Sequence, residues 1–154
     1  MVSIDEGGKA IIFSPSGPGA ELIKCVPRVL RITDKLEFCH LLTNGCLWTS
    51  SRTEVHLPHT PNRVPIIRIY DLFQVQSPSN TPKTVFPIEH CGSVTSCAIL
   101  PTSPQHVYLG HEEGYISIWN AETYNCEEVI KISNSDILSM EAVGSLLWVG
   151  QRNG

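Results

Sequence analysis

No apolar run in this sequence approaches the roughly 18–20 residues that cross a bilayer as a helix, so no membrane span is expected. The start of the chain, Met1-Val2-Ser3-Ile4-Asp5-Glu6, is acidic and lacks a basic stretch before an apolar one, so no secretory leader is expected. Charge is scarce: 17% of residues are charged, and the formal net charge is −4. The Lys and Arg side chains are scattered, which argues against a nucleic-acid partner, since phosphates are held by grouped cations. Cysteine pairs are missing as well. The six cysteines, at 25, 39, 46, 91, 97 and 126, include no Cys-x-x-Cys. They read as reduced, mostly buried thiols of a cytoplasmic protein rather than as a disulfide framework.

Signatures of catalysis are equally scarce. Gly7-Gly8-Lys9 and Ser16-Gly17-Pro18-Gly19 have neither the spacing nor the following helix of a phosphate-binding loop. There is no Gly-x-Ser-x-Gly elbow. His56 and His59 form a His-x-x-His pair with only Glu54 nearby, a donor set that reads as loop histidines rather than a metal site. Cys39 and His40 are adjacent on a predicted strand and so point to opposite faces, which denies them a shared site. Glu112-Glu113 precedes Gly114 and reads as a pair of solvent-facing carboxylates at a turn. Five Ser-Pro or Thr-Pro pairs, beginning at Ser14, Thr60, Ser77, Thr81 and Ser103, read as turn chemistry that phosphorylation would charge. The expectation is a chain with no cofactor, no metal and no activity of its own.

What the sequence does contain is β-structure. Val94–Ile99 and Tyr115–Trp119 alternate at period two and favour β-branched and aromatic residues. Eleven prolines and eleven glycines interrupt the chain too often for helices. The pattern Val107-Tyr108-Leu109-Gly110-His111-Glu112-Glu113-Gly114 recurs 40 residues later as Leu147-Trp148-Val149-Gly150-Gln151-Arg152-Asn153-Gly154. Short strands repeating every ~40–45 residues indicate propeller blades. The expected fold is all-β, a partial β-propeller of about three four-stranded blades with the last one incomplete, since the repeat stops at Gly154.

The repeat divides the chain into four parts. Residues 1–35 form an N-terminal segment with one or two strands, one of them at Lys9–Phe13. Residues 36–87 form a degenerate blade with long loops, at Ser51–Pro65 and Gln76–Pro82. Residues 88–132 form the best blade, with strands at Val94–Ile99, Val107–Gly110, Tyr115–Trp119 and Cys126–Ile132. Residues 133–154 form a truncated blade. Trp48, Tyr108 and Trp148 recur at one blade position and are expected in the core between blades.

The best blade resembles a WD repeat. His90-Cys91-Gly92-Ser93-Val94-Thr95-Ser96 matches the family's Gly-His-x-x-x-Val-Thr, with Glu89 in place of the Gly. Glu113-Gly114 matches the Asp-Gly turn, and Trp119-Asn120 the Trp-Asp ending. The resemblance implies that His90, Glu113 and Trp119 hydrogen-bond within the blade and stiffen it. His111, only eight residues before Trp119, is assigned no part in that network.

A narrower resemblance is to the non-catalytic propeller upstream of the DNase I-like phosphatase domain in fungal inositol polyphosphate 5-phosphatase-like proteins. It is carried by Ile67-Arg68-Ile69-Tyr70-Asp71, Gly92-Ser93-Val94-Thr95-Ser96, the run from Val107 to Gly114, and Leu147-Trp148-Val149-Gly150. It implies a protein-interaction platform in a longer protein that dephosphorylates phosphatidylinositols, with the catalytic domain outside this chain. Propellers of Rho guanine-nucleotide exchange factors and of signalling scaffolds are alternatives, as is a small stand-alone adaptor. The expected partners are proteins, together with self-association through open blade edges.

Overall fold

The computed structural model describes residues 2–5, 8–12, 28–32, 36–42, 44–57, 60–72, 81–86 and 91–154, with backbone alone at 2, 28, 53–57 and 60–64. His59 and His90 and the loop at 76–80 therefore lie outside the described residues.

Thirteen strands are described: β1 (Val2–Ile4), β2 (Lys9–Ile12), β3 (Arg28–Arg31), β4 (Phe38–Leu41), β5 (Cys46–Leu57), β6 (Thr60–Asp71), β7 (Lys83–Val85), β8 (Val94–Ala98), β9 (His106–His111), β10 (Tyr115–Asn120), β11 (Cys126–Lys131), β12 (Ile137–Val143) and β13 (Leu146–Gln151). They form four antiparallel sheets, β1–β3, β4–β7, β8–β11 and β12–β13, each built from sequence neighbours. This is the meander of propeller blades. Two sheets have four strands. The first has three strands, where one or two were expected from the sequence, and the last has two.

The segment 51–65 departs from its expected loop. β5 and β6 pair without a break from Cys46↔Asp71 to Leu57↔Thr60, so the hairpin runs through the proline-rich stretch. Threonines and valines along both arms supply β-propensity that a proline count hides. His56 consequently sits on a strand, opposite Pro61.

Alternation sorts each strand's residues between two neighbouring sheets. Ala10, Ile12, Leu30 and Ile32 meet Leu47, Tyr70 and Leu72 between the first and second sheets. Trp48, Ile67 and Ile69 meet Val94, Val107, Leu109 and Trp119 between the second and third. Ala98, Ile116 and Tyr108 meet Ile137, Met140, Leu147 and Val149 between the third and fourth. On every sheet one face thus looks back along the chain and the other looks forward.

The repeat extends to local irregularities. A bulge between Val94 and Ser96 places Ser96 opposite Gly110, and a bulge between Ile137 and Ser139 places Ser139 opposite Gly150. In each pair the serine hydroxyl lies where a glycine Cβ would stand. At Gly110 the fourth sheet closes in as well, with an Ile137 methyl 2.7 Å from that position. The glycine in each copy is there to allow close approach. The turn between β9 and β10 needs left-handed backbone at Glu113 (φ 58°) and Gly114 (φ 74°).

Candidate interaction surface

A one-directional hydrogen-bond chain holds the third sheet together. The Trp119 indole N–H donates to Ser117 Oγ at 2.7 Å. The Gly92 carbonyl, 2.8 Å from His111 Nδ1, can only accept, so Nδ1 carries the imidazole proton. Nε2 is then an acceptor and receives the Ser117 hydroxyl at 2.7 Å. His111, Ser117 and Trp119 are each 0% exposed. Burial pushes the His111 pKa down to about 4, against smaller upward pulls from the Gly92 carbonyl and the Glu112 charge.

His111, expected to take no part, is thus the centre of the network. The sequence signal was its spacing: on β9, residues 107, 109 and 111 share the backward-looking face with 117 and 119 on β10. Glu113 departs from its expected role, because its amide donates to Asp136 Oδ1 at 2.9 Å while the side chain points to solvent. Left-handed backbone turns that side chain away from the sheet. In the second sheet the equivalent register positions hold Ser51, Arg68 and Tyr70, with Arg68 Nη1 donating to Ser51 Oγ at 3.1 Å.

Glu112, expected in solvent, is half-buried and spans two sheets. Arg52 donates to Glu37 at 2.9 Å and to Glu112 at 3.0 Å. Glu112 also accepts the Ser93 amide, and Ser93 Oγ donates to Glu37. These charges are about one-third exposed, so R52A is expected to lower stability by only about 0.2–1 kcal/mol. The loss is read from urea midpoints at low ionic strength and should vanish near about 0.5 M salt, where screening is strong.

A hydroxyl–imidazole–carboxylate series went unread in the sequence. Ser103 Oγ lies 2.6 Å from His106 Nδ1, and His106 Nε2 lies 2.9 Å from Glu127 Oε2. Asn120 Nδ2 donates to the other Glu127 oxygen. A hydrolase would also need free N–H donors at the reacting centre. Here the Ser103 and His106 amides are spent on the turn, donating to Leu100 and Ser103 carbonyls. The series works as a staple between β9, β10 and β11.

The remaining thiols and titratable groups fit a packed scaffold. Cys39 is exposed on edge strand β4 beside His40; partial burial raises the Cys39 pKa and lowers that of His40. Burial pushes the Cys97 thiol to about 12. The hydrogen bond to Cys46 at 3.4 Å, followed by burial, pushes the Tyr124 phenol to about 12.

The recurring aromatic position is the forward-looking one. Trp48 is 1% exposed and meets Trp119 edge-on at 6.0 Å between ring centroids. Tyr108 is half-buried under the fourth sheet. Trp148 holds the same place on β13 but is 63% exposed, contrary to the core position expected of it. Among the described residues, no sheet lies over its face. Val143 (56%) and Leu146 (62%) share that face by register, making an apolar surface.

No helix among the described residues is long and apolar enough to cross a membrane. No protein-family model and no curated protein matches the chain. Among solved structures it is similar to Raptor of Chaetomium thermophilum, a protein containing a WD-repeat propeller, with a TM-score of 0.61 at 12% identity. The match covers 99% of this chain and 13% of that one, so the chain spans a small part of Raptor's length. At this identity the likeness concerns fold, and 144 solved chains match, too many to single out a function. What the chain shares with Raptor is a WD-repeat-like β-propeller fold, here a segment of four successive sheets.

Proposed function

We propose that this chain is a non-catalytic propeller segment that serves as a platform for protein contacts. The observation that carries the reading is how its ordered polar groups are used. His111, Ser117, Trp119, Arg52, Glu112, Ser103 and His106 all hold strands or sheets to one another. Meanwhile an apolar face at Trp148, Val143 and Leu146 is left open. Free thiols at Cys39, Cys46 and Cys97 support a cytoplasmic setting.

The finer reading places the segment in an inositol polyphosphate 5-phosphatase-like protein, with the catalytic domain elsewhere in a longer polypeptide. Its support is the residue pattern around Ile67–Asp71, Val107–Gly114 and Leu147–Gly150. The purified chain is expected to release no phosphate from inositol polyphosphates with magnesium. It should also leave Ser103 unlabelled by a fluorophosphonate, the probe for an activated serine. Turnover, or a Ser103 adduct, overturns the non-catalytic reading.

A further inference from the structure

One hairpin outgrows its sheet. β5 and β6 have twelve residues each, while β9 and β10, which hold the same places in the third sheet, have six each. Among the described residues, pairing of β5 with β4 stops at Ser50, and pairing of β6 with β7 stops at Ile67. The hairpin goes on alone, from Ser51↔Ile66 to Leu57↔Thr60, as a two-stranded arm about 20 Å long. Its base is tied down, because Arg52 bonds Glu37 on one side and Glu112 of the third sheet on the other.

The two edges of the arm differ. The Cys46 carbonyl accepts the Leu42 amide and the Ser50 carbonyl accepts the Glu37 amide, whereas the Gly45 carbonyl accepts the Leu72 amide. Main-chain groups of even-numbered residues on β5 therefore point to the β4 side, and those of odd-numbered residues point to β6. The register runs through the arm without a shift, so Arg52, Glu54 and His56 turn their N–H and C=O groups outward on the β5 edge. On β6 the outward residues are Pro61, Arg63 and Pro65, and both prolines lack an N–H. Proline on an outer edge is one way a sheet refuses a further strand. The β6 edge is closed in this way, while β5 has no proline from Cys46 to Leu57.

We propose that the β5 edge of the arm takes an extended strand from a partner protein, paired antiparallel to β5 and in line with β4. Main-chain hydrogen bonds to Arg52, Glu54 and His56 hold the partner, the mode in which a peptide adds a strand to an open edge. Glu54 is the middle residue of that edge, with Arg63 opposite it on β6. A Lys or Arg of the partner set opposite Glu54 continues the alternation of charge across the three strands, and such cross-strand pairs are favourable. A second copy of the chain is a poorer occupant. The antiparallel register that engages all three outward residues of both arms sets Glu54 against Glu54, and like charges directly opposite repel. The inference rests on the reading of this chain as a platform for protein contacts, and it gives those contacts a place.

The probe is the acetylated, amidated heptapeptide Thr-Val-Thr-Lys-Thr-Val-Thr, titrated into the chain and followed by amide hydrogen exchange in NMR spectra. The peptide is expected to slow exchange of the Arg52, Glu54 and His56 amides about tenfold, and to change little at Thr53 and Val55, which already face β6. N-methylation of the peptide's Lys removes a donor to the arm and should weaken binding about tenfold, whereas N-methylation of the threonines beside it should not. E54P removes the outward N–H and should weaken binding about tenfold. E54A keeps that N–H and loses only the charge, so it should cost about threefold. Near-UV circular dichroism of the buried Trp48 and Trp119 checks that E54P is folded; the exchange pattern and the N-methylated peptides need no variant. Three outcomes overturn the proposal: no slowing at the three amides, slowing on the Arg63 side instead, or equal binding of the peptide N-methylated at Lys. Slowing of the same amides in the chain alone as its concentration rises makes a second copy the occupant, and overturns it too. Phosphate release is measured separately. Turnover overturns the platform reading, while loss of peptide binding without turnover removes only the edge.

Discussion

Replacing Trp119 with alanine is expected to remove about 3–5 kcal/mol of stability. A domain's total is about 5–15 kcal/mol, so W119A should leave the third sheet loosely packed or unfolded. Two effects add. The indole is 0% exposed and fills the junction between the second and third sheets against Trp48, so its removal opens a cavity between them. Its N–H also terminates the chain through Ser117 and His111, so Ser117 Oγ loses a donor in a place water does not reach. W119F keeps most of the packing and loses the N–H, so its cost should be smaller, about 1–3 kcal/mol. Urea denaturation followed by tryptophan fluorescence measures both. A W119A midpoint equal to that of the wild type would remove the junction from the account of what holds these sheets.

The second large effect is acid sensitivity from His111. Its folded pKa of about 4 lies below the ordinary 6.5. Between those values the unfolded chain binds a proton that the folded chain refuses, so stability falls as pH drops. The contribution is fully present above pH 6.5, declines through the window from 6.5 to about 4, and amounts to about 3 kcal/mol over that range. Protonation at Nε2 would also take away the acceptor of the Ser117 hydroxyl. Chemical denaturation of wild type and H111Q at pH 7, 6 and 5 isolates the contribution of this histidine. H111Q should be less stable at pH 7 and show a flatter slope between 7 and 5. Parallel slopes would mean that His111 carries its proton in the fold.

Much of the strand pattern was legible in the chain. The third and fourth sheets fall where alternation and the 40-residue repeat place them, because a two-sided sheet at a blade position must alternate to serve two neighbours. The ends of the hairpin at 46–50 and 66–71 read as strands, but its extension through 51–65 was not legible. Prolines at 61 and 65 mark turns in short-range statistics, yet each sits in a two-stranded arm where its nitrogen needs no partner. The hydrogen-bond centre was misread for a different reason. Motif spacing favoured His90 over His111, while the register of β9 against β10 is what brings 111 to 117 and 119. Register is a property of two strands together and is not written in either alone.

The sequence by itself determined the class of fold and the period of its blades, since hydrophobic alternation, glycine turns and a repeated motif are local. It also made the aromatic at 48, 108 and 148 a repeated feature. Only the tertiary structure decided which of these aromatics is covered, because coverage depends on whether a sheet packs in front. The same reason made His111 a neutral structural group and Glu112 a bridge between sheets: burial and partnership arise only when distant strands meet.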